Sequence, residues 1–176
     1  MKLRIMESSC GSYALSIADQ IKKELKDMGY NSRRVGVRAK GAGYSDSIRI
    51  TIKDVSIKED SIQQLASKYE SIRYDDYTGE ILSGGNLYIL VEYDYDVVKN
   101  AYQPYLEDAR EIINSESDGN SSVLVMEKGG KQLYYYRGRT GRDGQCFEAD
   151  DSYGTRVPVR SEYDLAKAMM FFDAQN

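Results

Sequence analysis

The stretch "RVGVRAKGAGYSDSIRITIK", Arg34 to Lys53, decides how the rest of the chain is read. Arg34 to Ala39 alternates in side-chain character. Ser47 to Lys53 alternates strictly, with Ile48, Ile50 and Ile52 on one face and Arg49, Thr51 and Lys53 on the other. A period of two is the signature of a half-buried strand. Between the two runs lies "KGAGYSD", a glycine-bearing turn, so the pair reads as an antiparallel hairpin. Three isoleucines on one face need an apolar surface to cover them.

The flanking segments supply that surface. Upstream, "SSCGS" offers N-cap residues, and Ser12 to Met28 reads as a helix. Its stripe is Ile17, Ile21, Leu25 and Met28, and Gly29 ends it. Met1 to Met6 alternates weakly and is expected to be a strand. Downstream, "KEDSIQQLASKYESI" is a second helix with Ile62, Leu65, Ala66 and Tyr69 on one side. "RYDDYTGEILSGGN" is a polar loop, and "LYILVEYDY" is a strand apolar enough to be expected at the centre of the sheet. Val97 to Ser115 carries another helical stripe, interrupted by Pro104, which predicts a break near Gln103.

"NSESDGNSS" (Asn114 to Ser122) reads as a linker, and strands resume after it. Val123 to Met126 is apolar throughout. Gln132 to Tyr136 and Gln145 to Ala149 pair around an eight-residue loop, and Thr155 to Val159 is placed at an edge by Pro158. Ser161 caps a last helix, with Asp164 at capping-box spacing and Leu165, Met169 and Phe172 inward. The sum is an α+β fold: a mostly antiparallel sheet with helices on one face, then a β-rich part closed by a helix. The expected domains are 1–115 and 121–176.

Composition narrows the chemistry. The 176 residues are 41% hydrophobic and 30% charged, as in a folded soluble chain. No apolar run approaches the roughly 20 residues of a membrane helix. The first residues have no signal-peptide core, so a cytoplasmic site is expected and no membrane partner. There is no histidine, which excludes histidine bases and histidine-ligated metals. Cys10 and Cys146 have no disulfide-scaffold or zinc spacing. "GAG" and "SGG" do not sit between a strand and a helix, so neither is a phosphate or dinucleotide loop, and no cofactor is implied. Sixteen tyrosines against three phenylalanines and no tryptophan suit binding surfaces and half-buried strands equally.

Charge is uneven. Residues 1–60 hold 12 Lys/Arg and 8 Asp/Glu, residues 61–120 hold 4 and 12, and residues 121–176 hold 8 of each. In the acidic middle, Asp75, Asp76, Glu80, Glu92, Asp94 and Asp96 are interleaved with Tyr74, Tyr77, Tyr88, Tyr93 and Tyr95. That mixture suits docking on a basic, phosphate-binding groove of a nucleic-acid enzyme. The alternative is a carboxylate-dependent nuclease, in which such acids would converge on a divalent metal. However, Asp75 and Asp76 are adjacent and would point apart in a strand. In "KQLYYYRGRTGRDGQCF", Tyr134 and Tyr136 share one strand face, and Arg137, Arg139 and Arg142 lie on the loop. Arginine forks there fit phosphate, a base edge or an acidic protein patch. Three arginines are few for independent nucleic-acid binding, so the loop reads as one part of a larger interface, and a nucleic-acid-binding accessory module is a further reading.

The run from about Ile21 to Tyr93 resembles a large polyvalent protein-associated domain of phages and conjugative elements. The matching parts are "IADQIKKELKDMG", "VGVRAKGAGYSDSIRITI", "SIQQLASKYESIRYDDYTGE" and "LYILVEYD". Ile52 stands where the family tends to carry an aromatic, and "DVSIKED" replaces a Gly-Pro step. The resemblance implies a mobile-element setting, in which small acidic proteins often inhibit host defence, anti-CRISPR proteins among them. The expected function is stoichiometric inhibition of a host defence nuclease or nucleoprotein complex. The expected contacts are Tyr74, Asp75, Asp76, Tyr77, Asp94, Asp96, Tyr134, Tyr136, Arg137, Arg139 and Arg142.

Overall fold

The computed structural model describes residues 10–42, 45–82, 85–115, 122–137, 144–148 and 156–176. The chain divides into two units, Met1–Asp94 and Tyr95–Asn176. The strand expected at Met1 to Met6 lies outside the described residues.

The first unit runs α1 (Cys10–Asp27), β1 (Val35–Ala42), β2 (Ser45–Ile52), α2 (Glu59–Ser67), β3 (Asn86–Tyr93). β1 and β2 form the antiparallel hairpin, with Val35 opposite Ile52 and Ala39 opposite Ile48. Ile48, Ile50 and Ile52 are buried beneath Ile21 and Leu25 of α1 and Ile62 and Leu65 of α2, all in one core. Ala14 and Ala18 extend the buried stripe of α1, whereas Met28 is exposed. Met28 falls outside because the chain leaves the helix there. Gly29 takes φ +86°, Tyr30 N–H donates to the Leu25 carbonyl (2.8 Å) and Gly29 N–H to that of Lys26 (2.9 Å). Those paired bonds at a left-handed glycine close the helix end.

The expectation for β3 needs correcting. The strand order is β1-β2-β3, so the hairpin's second strand is central and β3 is an edge. β3 also runs parallel to β2, because α2 carries the chain back across the sheet before β3 begins. The three-stranded sheet is therefore mixed. The apolarity of β3 has a different origin: Leu87, Ile89 and Val91 fill the core, and Ser71 pairs with Leu87 on the outer side through two backbone bonds.

The second unit runs α3 (Tyr95–Tyr102), a 3-10 turn (Gln103–Tyr105), α4 (Leu106–Asn114), β4 (Ser122–Lys128), β5 (Lys131–Tyr136), β6 (Gly144–Glu148), β7 (Val157–Val159) and α5 (Glu162–Gln175). The break falls at Gln103, with Pro104 in the 3-10 turn. The helices at 95–114, read from the sequence with the first part, pack against α5 in this unit. The four strands make an antiparallel sheet in chain order, with β7 and its Pro158 at the edge. Ser161 Oγ accepts from Asp164 N–H and donates to its carboxylate, starting α5. Leu133, Tyr135, Cys146 and Val159 from the sheet are buried, as are Leu165, Met169 and Phe172 from α5.

Candidate functional site

The acidic loop is itself a small hairpin in the first unit. Leu82 N–H donates to the Arg73 carbonyl (2.8 Å) and Asp75 N–H to the Glu80 carbonyl (2.7 Å), with Tyr74 opposite Ile81 between them. The tip is closed by Asp75. Its Oδ1 accepts from Tyr77 N–H (2.9 Å), Thr78 N–H (2.8 Å) and Thr78 Oγ1 (3.1 Å). An aspartate that bonds the backbone two and three residues on is a turn former. Those donors, led by the Thr78 and Tyr77 N–H groups, hold the carboxyl below the usual range. Gly79 takes φ +70°, which completes the reversal.

Asn86 fixes the hairpin to β3. Its side chain accepts from Arg73 N–H (2.9 Å) and donates to the Leu82 carbonyl (2.7 Å), and the residue is only 4% exposed. The hairpin therefore projects from the sheet with both strands tied at the base. What it presents is unusual for a surface. Tyr74 is 54% exposed, Tyr77 101%, Ile81 52% and Leu82 38%. Asp76, Thr78 and Glu80 beside them are also exposed. Tyr74 and Ile81 are cross-strand neighbours on one face of the hairpin, and Leu82, the next residue along, falls on the other.

The other expected contacts do not gather here. Asp94 ends the first unit, where its N–H donates to the Ile52 carbonyl (2.8 Å). It shares a depression of about 190 Å³ with Arg38, Arg49 and Lys53, on the face of the sheet away from α1 and α2. Asp96 is in the first turn of α3, in the second unit. Among the described residues, no three His, Cys, Asp or Glu side chains are grouped to hold a metal. Cys146 is buried, and desolvation pushes its thiol up to about 12, so it stays protonated at neutral pH.

The tyrosines of β5 alternate as its pleat requires. Leu133 and Tyr135 are buried, while Tyr134 and Tyr136 are half-buried on the opposite face. Tyr134 stacks on Phe147 (5.8 Å between centroids, 17° between planes) and donates to Gln132 Oε1 (3.0 Å). The register lines up Leu124, Tyr134 and Phe147 across β4, β5 and β6, and the Arg156 guanidinium sits 5.7 Å from the Phe147 ring centroid. Arg137 follows β5 and is half-buried; Arg139 and Arg142 lie outside the described residues.

Sequence reasoning missed Ile81, Leu82, Asn86, Phe147 and Arg156. Only the first two carried a signal: two apolar residues ending an otherwise polar loop. No protein-family model, no curated protein and no solved structure matches this chain.

Proposed function

We propose that this is a docking protein acting by stoichiometric contact, an inhibitor of a host defence nuclease or nucleoprotein complex encoded by a mobile element. The observation that supports it is the clamped hairpin 73–82, with Tyr74, Tyr77, Ile81 and Leu82 exposed beside Asp76 and Glu80. Tyrosine is enriched among residues that dominate binding energy. A loop already closed by Asp75 and Asn86 loses little freedom when a partner binds, which leaves more of the contact energy as affinity. The two carboxylates would steer it to a basic surface and suppress acidic partners. The nuclease as target and the mobile-element setting come from the family resemblance. The test is capture from a host lysate with tagged protein, with and without nuclease treatment. A protein partner retained after nuclease treatment and lost with Tyr77→Ala supports docking; retention unaffected by Tyr77→Ala opposes it.

A second reading, a nucleic-acid-binding accessory module, is favoured by the row Leu124, Tyr134, Phe147 with Arg156 on the second sheet. Aromatic rings and arginine on a sheet face are a platform on which single-stranded bases stack. Binding of a single-stranded oligonucleotide that weakens steeply with salt and with Phe147→Ala would support it; no binding at low salt would exclude it. The carboxylate-nuclease reading is checked in the same preparation by magnesium-dependent cleavage.

A further inference from the structure

We infer that the outer edge of β1 and the neighbouring face of α1 form a receptor for an extended acidic peptide of a partner protein, bound by strand addition. This goes beyond the hairpin 73–82 and rests on separate observations. The first is the edge. Among the described residues, β1 is the outermost strand of its sheet and no strand pairs with its outer side. Arg34 and Lys53 are hydrogen-bonded across the hairpin (2.7 Å). By antiparallel alternation, Gly36, Arg38 and Lys40 then bond to β2, and Val35, Val37 and Ala39 turn their N–H and C=O outward. The Val35 N–H is taken by the Asn31 carbonyl (2.9 Å). Among the described residues nothing takes the outward groups of Val37 and Ala39, which stand at the spacing an added strand uses.

The second observation is the groove beside that edge, about 470 Å³ in volume and running between α1 and β1. Its apolar lining is Leu25, Tyr30, Val35 and Val37, and its charged lining is Lys22, Lys26 and Arg38, with no acidic residue. An added strand would place alternate side chains over the apolar floor and the others against the basic rim. The loop entering β1 is already shaped, because Asn31 Oδ1 accepts from Arg33 and Arg34 N–H (3.0 and 3.2 Å).

Charge selects the occupant. Arg38 and Lys40 lie on β1 itself, and Lys22 and Lys26 face the same groove. A second copy of this edge would bring like charges together, the usual device against self-pairing. A strand alternating apolar and acidic residues meets no such repulsion.

The test uses the full chain and a short fluorescent peptide alternating valine with glutamate, against one alternating valine with lysine. The expected result is saturable binding of the glutamate peptide alone, with slowed hydrogen exchange at the Val37 and Ala39 amides. Val37→Pro removes an outward donor while leaving the bonds to β2, a position where an edge strand accepts proline; it should weaken binding at least about tenfold. Where that variant is unfolded, the surface triple Lys22→Glu, Lys26→Glu, Arg38→Glu replaces it and should transfer preference to the lysine peptide. No binding of the glutamate peptide, equal binding of both peptides, binding without protection at Val37 and Ala39, or binding that survives both variants would overturn the inference.

Discussion

Two tyrosine-rich segments of this protein look alike in sequence and behave differently in the fold. In hairpin 73–82, Tyr74 and Tyr77 project into solvent. In β5, Tyr135 is 4% exposed, Tyr134 is stacked on Phe147, and Tyr136 is half-buried. The cause is what each backbone has beside it. β5 lies inside a four-stranded sheet, with β4 and β6 supplying cross-strand neighbours. The hairpin stands out beyond β3, held at its base by Asn86 and at its tip by its own turn. Tyrosine count alone therefore says nothing about binding; the surroundings decide whether the ring becomes core or contact.

That contrast is broken most severely at Tyr135. Its ring lies against Gly144, where a Cβ would come within 2.8 Å of the Tyr135 hydroxyl and ring and 2.9 Å of the Val159 carbonyl. Tyr135→Ala should destabilise the second unit by about 3–5 kcal/mol, the usual cost of deleting a large buried ring. Urea denaturation followed by circular dichroism measures it. Gly144→Ala should cost about 1–3 kcal/mol, because the Val159 backbone cannot yield as a flexible side chain would. A neutral Gly144→Ala would show that the sheet relaxes more freely than the packing implies.

A smaller effect depends on pH. Lys128 and Tyr105 both donate to the Asp173 carboxylate. The Lys128 and then the Tyr105 hydrogen bonds hold Asp173 below its ordinary range, and the Asp173 bond pushes Tyr105 up to about 12. The Asp173 contribution is therefore present above its unfolded value of about 3.9 and lost as pH falls through the lower folded value. The Tyr105 contribution is present below about 10 and lost as pH rises through about 12. Asp173 is partly exposed, so the acid effect should stay under about 1 kcal/mol. Comparing urea midpoints of the parent chain and Asp173→Asn at pH 3 and pH 7 checks it: the variant should lose less on acidification.

The hairpin itself should respond locally. Asp75→Ala removes three acceptor contacts and should speed amide exchange at Tyr77 and Thr78 while the core of the first unit stays protected. Asp75→Asn, which keeps an acceptor oxygen, should retain most of that protection. Exchange unchanged in Asp75→Ala would mean that the turn holds without its carboxylate.

Legibility from sequence followed the range of the physics involved. The isoleucine alternation of β2, the stripe of α1 as far as Leu25, the break at Pro104 and the cap at Ser161 are short-range patterns, and each appears where the residues place it. The position of β3 was not readable, because pairing and direction depend on where α2 returns the chain and not on the apolarity of "LYILVEYDY". The turn-forming role of Asp75 was legible too, and for a local reason. "DDYTG" is also a turn sequence, with aspartate first and glycine at the reversal. Ile81 and Leu82 gained meaning only once the hairpin brought them back beside Tyr74 and Arg73.

The central claim is that hairpin 73–82 carries the partner contact. The direct measurement is the affinity of the captured partner for three proteins: the parent chain, the pair Asp76→Lys with Tyr77→Ala, and the triple Arg137→Ala, Arg139→Ala, Arg142→Ala. Tyr77 touches little of its own chain, so the pair should fold with stability within about 0.5 kcal/mol of the parent. It should nevertheless lose at least about 2 kcal/mol of binding, roughly thirtyfold, with the arginine triple closer to the parent. Parent affinity in the hairpin pair, with the loss in the arginine triple instead, would contradict the account.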